Sequence, residues 1–236
     1  MAVVTGASRG LGLTLARFLA GAGHALVLTA RGGDDLEQAA STIGGEGPVH
    51  VVAGSVTDPA HRAAVARAVG PRLDLLVHNA SALGPSPLPA LAEAALDDVR
   101  EVFETNVVAP LALTQALLPA LARAGGTVVA LSSDAAHGGY PGWGVYGSSK
   151  AALELLTRTL AAELDAVGAV IVDPGDMRTA MHQQAFPGED IGDRPPPEVT
   201  LPFWAWLLGQ RREDVHGRRF EAQAEAWELD PVEGTA

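Results

Sequence analysis

Tyr146 and Lys150 stand four residues apart in the stretch GVYGSSK. That spacing puts both side chains on one face of a helix. A free tyrosine titrates near ~10, and a neighbouring ammonium favours the phenolate and draws that value down. A tyrosine tuned in this way can give a proton to a developing alkoxide or take one from an alcohol. Ser133 lies thirteen residues earlier, just after an apolar run. Its hydroxyl can polarise a substrate carbonyl, and Ser132 beside it is an alternative.

Scarcity marks the same residues. Lys150 is the only lysine against fifteen arginines, and Asn79 and Asn106 are the only asparagines. A chain this rich in Ala, Gly, Pro and Arg keeps Lys and Asn where their chemistry is needed. Each residue alone has a duller reading. Lys150 can be a solvated helix residue, Tyr146 an amphipathic side chain at a helix start, and Asn106 the partner of a local backbone break.

A second constellation opens the chain. TGASRGLG follows the first apolar run and begins a helix, with glycines at 6, 10 and 12. Glycine permits positive φ and close backbone approach. A helix N-terminus offers unpaired N–H groups and partial positive charge, which suits a pyrophosphate. In a βα unit this is where dinucleotides bind. The second strand ends in VLTARGG, with Ala30 and Arg31 and no acid before Asp34. An acid there would serve the 2′-hydroxyl of NAD, whereas arginine suits the 2′-phosphate of NADP. Arg9 reaches the same corner, so NADP(H) is the expected cofactor. Positive charge on an oxidised nicotinamide would lower the Tyr146 pKa further; about three units requires roughly 4 kcal/mol from all the charges together.

The elements that must hold these groups alternate. Strands are expected at 2–5, 25–30, 49–53, 73–78, 126–132, 168–173 and 218–222, with helical patterns between them, including a long stretch from 97 to 124. Strands apolar on both faces imply a sheet covered on both sides. The alternation predicts an α/β, Rossmann-type, doubly wound and mainly parallel seven-stranded sheet flanked by helices on both faces. No linker divides residues 1–236, so one domain is expected. Pro110 is expected to kink or break the long helix. Residues 176–200 are expected to form an irregular substrate-loop insertion.

The composition limits the function classes. A formal charge of −12 opposes nonspecific binding to nucleic acid or anionic membrane. There is no cysteine, so disulfide and thiolate chemistry are excluded, and no metal site is expected. No uninterrupted apolar stretch approaches ~20 residues, so no membrane span is expected, and the compartment expected by default is cytoplasmic.

Together these motifs closely resemble the short-chain dehydrogenase/reductase family over nearly the whole chain. The glycine turn matches at Thr5, Gly6, Gly10 and Gly12; the element after the fourth strand at Asn79 and Ala80; the helical asparagine at Asn106. The serine matches at Ser133, the Tyr-Lys pair at Tyr146 and Lys150, and the Pro-Gly element at Pro174, Gly175 and Thr179. The resemblance implies that Tyr146 is the acid/base, Lys150 lowers its pKa and binds the nicotinamide ribose, and Ser133 orients the carbonyl oxygen. Asn106 would hold a relay water, Asn79 would support the sheet, and Thr179 would contact the carboxamide. Ser8, Arg9, Leu11, Arg31, Ser55, Val56 and Met177 would complete the cofactor site. The activity implied is NADPH-dependent carbonyl reduction, reversible as alcohol dehydrogenation. Imine reduction, cofactor-retaining isomerisation or dehydration, and cofactor sensing are the alternatives. Helices around 103–121 and 149–164 match those that many members pair into homodimers or homotetramers.

Three departures stand out. Ser55 replaces an acid near the expected adenine, leaving Asp58 and making Val56 the neighbour. Ser81 replaces a glycine after Asn79. The chain end after the last strand is acidic, without the usual glycines, and is expected to be loose. The substrate walls are expected from Ser81, Leu83, Ser133, His137, Tyr140, Trp143, Met181, His182 and Phe186. His137 and His182 would suit a polar or anionic small-molecule substrate, and Arg178 the cofactor phosphate.

Overall fold

The computed structural model describes residues 1–229. Seven parallel strands form one sheet in the order β3-β2-β1-β4-β5-β6-β7. They are β1 (Ala2–Thr5), β2 (Leu26–Ala30), β3 (Val49–Ala53), β4 (Leu75–His78), β5 (Thr127–Leu131), β6 (Gly168–Asp173) and β7 (Arg219–Glu221). This is the doubly wound order expected from the alternation, with four strands one or two residues shorter at their ends. The direction of progression reverses between β1 and β4. Ligands of such sheets bind outside the carboxyl ends at that reversal.

Successive strand residues face opposite sides, so each strand feeds two cores. Val4, Leu28, Val77 and Val129 face one layer, with Leu15 and Leu19 of α1 (Gly10–Gly21) and Phe203 and Leu207 of α8 (Leu201–Leu208). Val3, Val27, Leu76 and Val128 face the other, with Val65 and Val69 of α3 (Pro59–Val69) and Leu113, Leu117 and Leu121 of α5 (Ala109–Ala124). Each such side chain contributes roughly 1.5–3 kcal/mol of burial. Burial on both faces is why the strands read as unbroken apolar runs.

The long helix is not broken at Pro110. It runs as α4 (Leu96–Phe103), one π-helical turn over residues 104–108, and α5. The irregularity lies just before the proline, where Ala109 N–H bonds to the Glu104 carbonyl, one residue further back than in an α-helix. Pro110 then occupies the first turn of α5, where its missing N–H costs little. By length and composition alone this 96–124 rod could cross a membrane, although charged residues interrupt its apolar run. Its leucines 113, 117 and 121 are instead buried against the sheet.

Residues 176–200 are more ordered than an irregular loop. They contain α7 (Ala180–Ala185), whose N-terminus is capped by Thr179 Oγ1 accepting from His182 N–H. Arg178 N–H donates to Pro195 O at 2.8 Å, so both ends of the segment are tied together. Helix α8, LPFWAWLL, has no polar face and therefore no amphipathic period to read; it fills the core with Phe203 and Trp204. Nor is the segment after β7 loose as far as it is described. Trp227 packs on Phe203 and Trp206, at ring centroids 5.4 and 5.7 Å away. From residue 230 the acidic end lies outside the described residues.

Candidate active site

At the carboxyl edge of the sheet two cavities meet. One is a groove of about 530 Å³ running from the glycine turn past the ends of β1, β2, β4 and β5. Gly6, Ser8, Arg9, Gly10 and Leu11 line one end with Arg31, Ser55 and Val56; Asn79, Ala80, Lys150, Pro174, Met177 and Thr179 line the rest. The expected cofactor residues therefore gather on one surface, with three exceptions. Thr5 and Gly12 lie behind it, and Gly175 faces the second cavity.

Those exceptions have structural work. Thr5 Oγ1 donates to Val77 O and accepts from the N–H groups of Asn79 and Ala80 at 3.0 and 2.9 Å. Asn79 Nδ2 returns bonds to the carbonyls of Thr5 and Gly6 at 2.8 and 3.0 Å. β1 and β4 are thus laced together beneath the turn. A Cβ at Gly12 would overlap the Gly6 carbonyl, so this glycine lets α1 sit against its own turn. Gly6 needs glycine for a second reason, its φ of 68°.

The cradle fits a phosphorylated dinucleotide. Gly10 and Leu11 at the N-terminus of α1 line the groove, with no carboxylate in the first turn of that helix to compete. Arg9 and Arg31 stand exposed at the far end. Ser55 and Val56 line the groove, whereas Asp58 turns away and caps α3 through Ala60 N–H at 2.9 Å.

The second cavity, about 440 Å³, lies between the end of β5, the start of α6 (Gly144–Glu163) and α7. Leu83, Ser133, Trp143, Met181, His182 and Phe186 line it, together with Tyr140, as the sequence suggests. His137 does not. Its Nε2 turns to Glu154 at 3.2 Å, because that buried carboxylate draws it down toward α6. Arg178 lines neither cavity.

Tyr146 belongs to both cavities. Its ring is buried, with Trp143 edge-on at 5.7 Å on one side and Lys150 Nζ 5.5 Å from the ring centroid on the other. Ser133 and Ser81 offer hydroxyls to the phenol. Ser132 is not the partner: it is buried and donates to Glu154 at 2.6 Å. Ser81, expected as a pocket wall, lies on the groove side and donates to Asn106 Oδ1 at 3.0 Å.

In the protein alone, burial outweighs the lowering of the Tyr146 pKa expected from Lys150. Burial pushes the phenol well above its usual value and Asp173 adds to it; Ser81 pulls it down, Asp134 raises it, and Ser133 pulls it down. Lys150 is itself buried, and burial brings its ammonium down to about 8 against the opposing pull of Asp173. Its Nζ donates to Leu131 O at 2.8 Å, anchoring the lysine to the end of β5.

Asn106 is a positioning residue in this geometry. Its amide oxygen accepts from Ser81 Oγ and Ala82 N–H, and its nitrogen donates to Ala82 O and Ser149 Oγ. All four hydrogen-bonding positions of the amide are spent, so its side chain has none left for a relay water. Ser149 Oγ in turn donates to the Tyr146 carbonyl at 2.6 Å. Pro110, four positions on, has no N–H to offer the Asn106 main-chain carbonyl.

Sequence reasoning missed Asp134, Asp173 and Asp176 on the cavity wall. The signal was present, since each stands beside a motif residue: Asp134 follows Ser133, and Asp173 and Asp176 flank Pro174-Gly175. Also missed was the buried Glu154, which accepts from Arg158 Nη2 at 2.9 Å and Arg219 Nε at 3.0 Å; Arg219 bridges on to Asp173 at 2.8 Å. Arg219 so ties β7 to the floor of the site.

Comparison with known proteins agrees with this geometry. The family model for short chain dehydrogenases matches residues 1–190. This chain belongs to the short-chain dehydrogenase/reductase family. An uncharacterised oxidoreductase of Escherichia coli, YciK, is 35% identical over 230 residues, covering 94% of this chain and 90% of the relative. The crystal structure of an Escherichia coli short chain dehydrogenase complexed with NADPH superposes with a TM-score of 0.87 at 34% identity, covering 94% of this chain and 96% of that one. A Shigella flexneri counterpart complexed with NADP gives 0.85 at 32% identity, covering 94% and 96%.

Proposed function

We propose that this enzyme is an NADP(H)-dependent carbonyl reductase, reversible as an alcohol dehydrogenase, acting on small ketones, aldehydes or secondary alcohols. The observation that carries the proposal is the position of Tyr146 on the wall shared by the dinucleotide groove and the second cavity. The NADP and NADPH carried by two structural relatives support the cofactor assignment, together with Arg9 and Arg31 at the groove's far end.

Gly6, Gly10 and the N-terminus of α1 hold the pyrophosphate, and Arg9 and Arg31 the 2′-phosphate. Bound NADPH supplies a hydride to the substrate carbonyl carbon. Ser133 orients the carbonyl oxygen from the cavity side. Tyr146, kept as a neutral phenol by its burial, delivers its proton to that oxygen as negative charge develops. Lys150, on the groove side, binds the nicotinamide ribose and stabilises the phenolate left behind. Asn106 and Ser149 fix the start of α6, and hence the phenol, against the 80–82 segment.

Thermal unfolding with each nucleotide tests the cofactor assignment. A ligand at ~100 times its dissociation constant stabilises by ~2.7 kcal/mol. NADPH is expected to raise the melting temperature well above NADH at equal concentration; equal shifts would overturn the two-arginine assignment. A carbonyl panel should consume NADPH and form alcohol one to one. Cofactor recycled without net consumption would favour isomerisation instead.

Self-association fits the exposed apolar surface beside α4 to α6. Leu155 on α6 is 64% exposed, and Val108 on the adjoining π turn is 47% exposed. Light scattering is expected to give a homodimer or homotetramer, and Leu155→Glu to shift it toward monomer.

A further inference from the structure

The second cavity has an electrostatic character that the reaction itself does not require. Among its described lining residues are three carboxylates, Asp134, Asp173 and Asp176, and no lysine or arginine. Nearby cations do not balance them. Arg219 is shared by Asp173, Glu154 and Glu221, Arg194 lies 3.4 Å from Asp176, and Arg158 pairs with Glu154. Counting Asp193, which shares Arg194, and Lys150, which feels the pull of Asp173, six carboxylates face three guanidiniums and one ammonium. Asp134 takes its hydrogen bonds from hydroxyls, Ser133 Oγ at 2.9 Å and the Tyr140 phenol. An anion placed here would be repelled by these carboxylates.

An unsatisfied group points to a ligand independently of the acids. The His182 side chain is nine-tenths buried on the same wall, and its Nε2 has no hydrogen-bond partner. Its Nδ1 lies 3.8 Å from Asp176 Oδ1, too far for a hydrogen bond but on the side where a carboxylate favours the ring's N–H. Nε2 is then a buried lone pair that asks for a donor. Aromatic rings complete the surroundings. Phe186 lies 5.0 Å from the His182 ring and 6.1 Å from Trp143, and Tyr140 closes the rim. Ring faces attract a cation within about 6 Å. Carboxylates, an orphaned acceptor and ring faces share one complement, a positively charged N–H donor.

We propose that the substrate is an amino-substituted ketone or aldehyde, or the matching amino alcohol, whose ammonium is held by Asp134, Asp176 and His182 beside Trp143. This rests on the carbonyl-reductase reading above and narrows its substrate class. The carbonyl lies at Ser133 and Tyr146. Its carbon gains the hydride from NADPH, its oxygen gains the Tyr146 proton, and solvent restores that proton.

The test is a set of three ketones of equal length ending in ammonium, methyl or carboxylate, followed by NADPH oxidation. The expected order of kcat/KM is ammonium, methyl, carboxylate, with at least a tenfold gap between the first two. Asp134→Asn with Asp176→Asn should shrink that gap severalfold. The ratio is the readout, so any loss common to all three ketones cancels. An ammonium ketone no better than its methyl counterpart, or a gap unmoved by the double variant, overturns the proposal. If no ketone is reduced, the carbonyl-reductase reading fails separately. Calorimetric binding of the same three compounds to the protein with NADP+ then decides the charge preference by the same tenfold criterion.

Discussion

The groove and the cavity share Tyr146 but are built from different materials. The groove is largely backbone: the glycine turn, the N-terminus of α1 and the ends of parallel strands, with Thr5 and Asn79 lacing the floor. The cavity is largely side chain: Trp143, His182, Phe186 and three carboxylates at the end of β6 and on the segments after β5 and β6. A backbone site tolerates few changes in its own residues and serves one ligand. A side-chain site can be re-cut without touching the fold. Cofactor binding and substrate choice should therefore separate under mutation.

The largest effect is expected where the two meet. Tyr146→Phe should lower turnover by about 10²–10⁴-fold, with the NADPH-induced rise in melting temperature kept. Loss of both would make Tyr146 a structural residue of the groove. Next, Gly12→Val should abolish that rise while leaving circular dichroism native, because its side chain must displace the Gly6 carbonyl. Arg31→Ala should act on the groove alone, weakening NADPH about tenfold, or 1.4 kcal/mol, without altering NADH. Nucleotide titrations of both variants check this, and a changed preference among ketones would blur the boundary between the sites.

The last effect lies beneath both sites. His78 is wholly buried and bonded to Thr114 at 2.8 Å, and burial, with a contribution from Lys150, lowers its pKa to about 3. Between that value and the unfolded value near ~6.5 the unfolded chain binds the extra proton, so stability falls as pH falls through this window. The slope from this one group is at most about 1.4 kcal/mol per pH unit. His78→Gln should flatten part of the decline in denaturant midpoints between pH 6.5 and 4; an unchanged slope would place the acid sensitivity elsewhere.

The same division explains what the sequence disclosed. The groove was legible because it depends on glycines at fixed offsets, an apolar strand before them and an arginine after the second strand. The strands were legible because burial on both faces leaves only apolar residues. Helix α8 escaped because an element buried all round has no period. The ordering of 176–200 escaped because it rests on single contacts such as Arg178 N–H to Pro195 O. The cavity was only half legible. Trp143 and Phe186 announced themselves by size, but His137 and His182 look alike as letters, and only the buried Glu154 separates them. The direction of the Tyr146 shift also depends on burial, which spacing does not encode.

The aromatic packing has a practical consequence. Trp204, Trp206 and Trp227 are gathered around or beside Phe203, while Trp143 stands by itself on the cavity wall. Two optical populations are thus built into the chain. Emission from the Phe203 cluster follows the integrity of the core, whereas that from Trp143 should be quenched by whatever enters beside it. Replacing the three clustered indoles by phenylalanine would leave a protein that reports its own occupancy without a label.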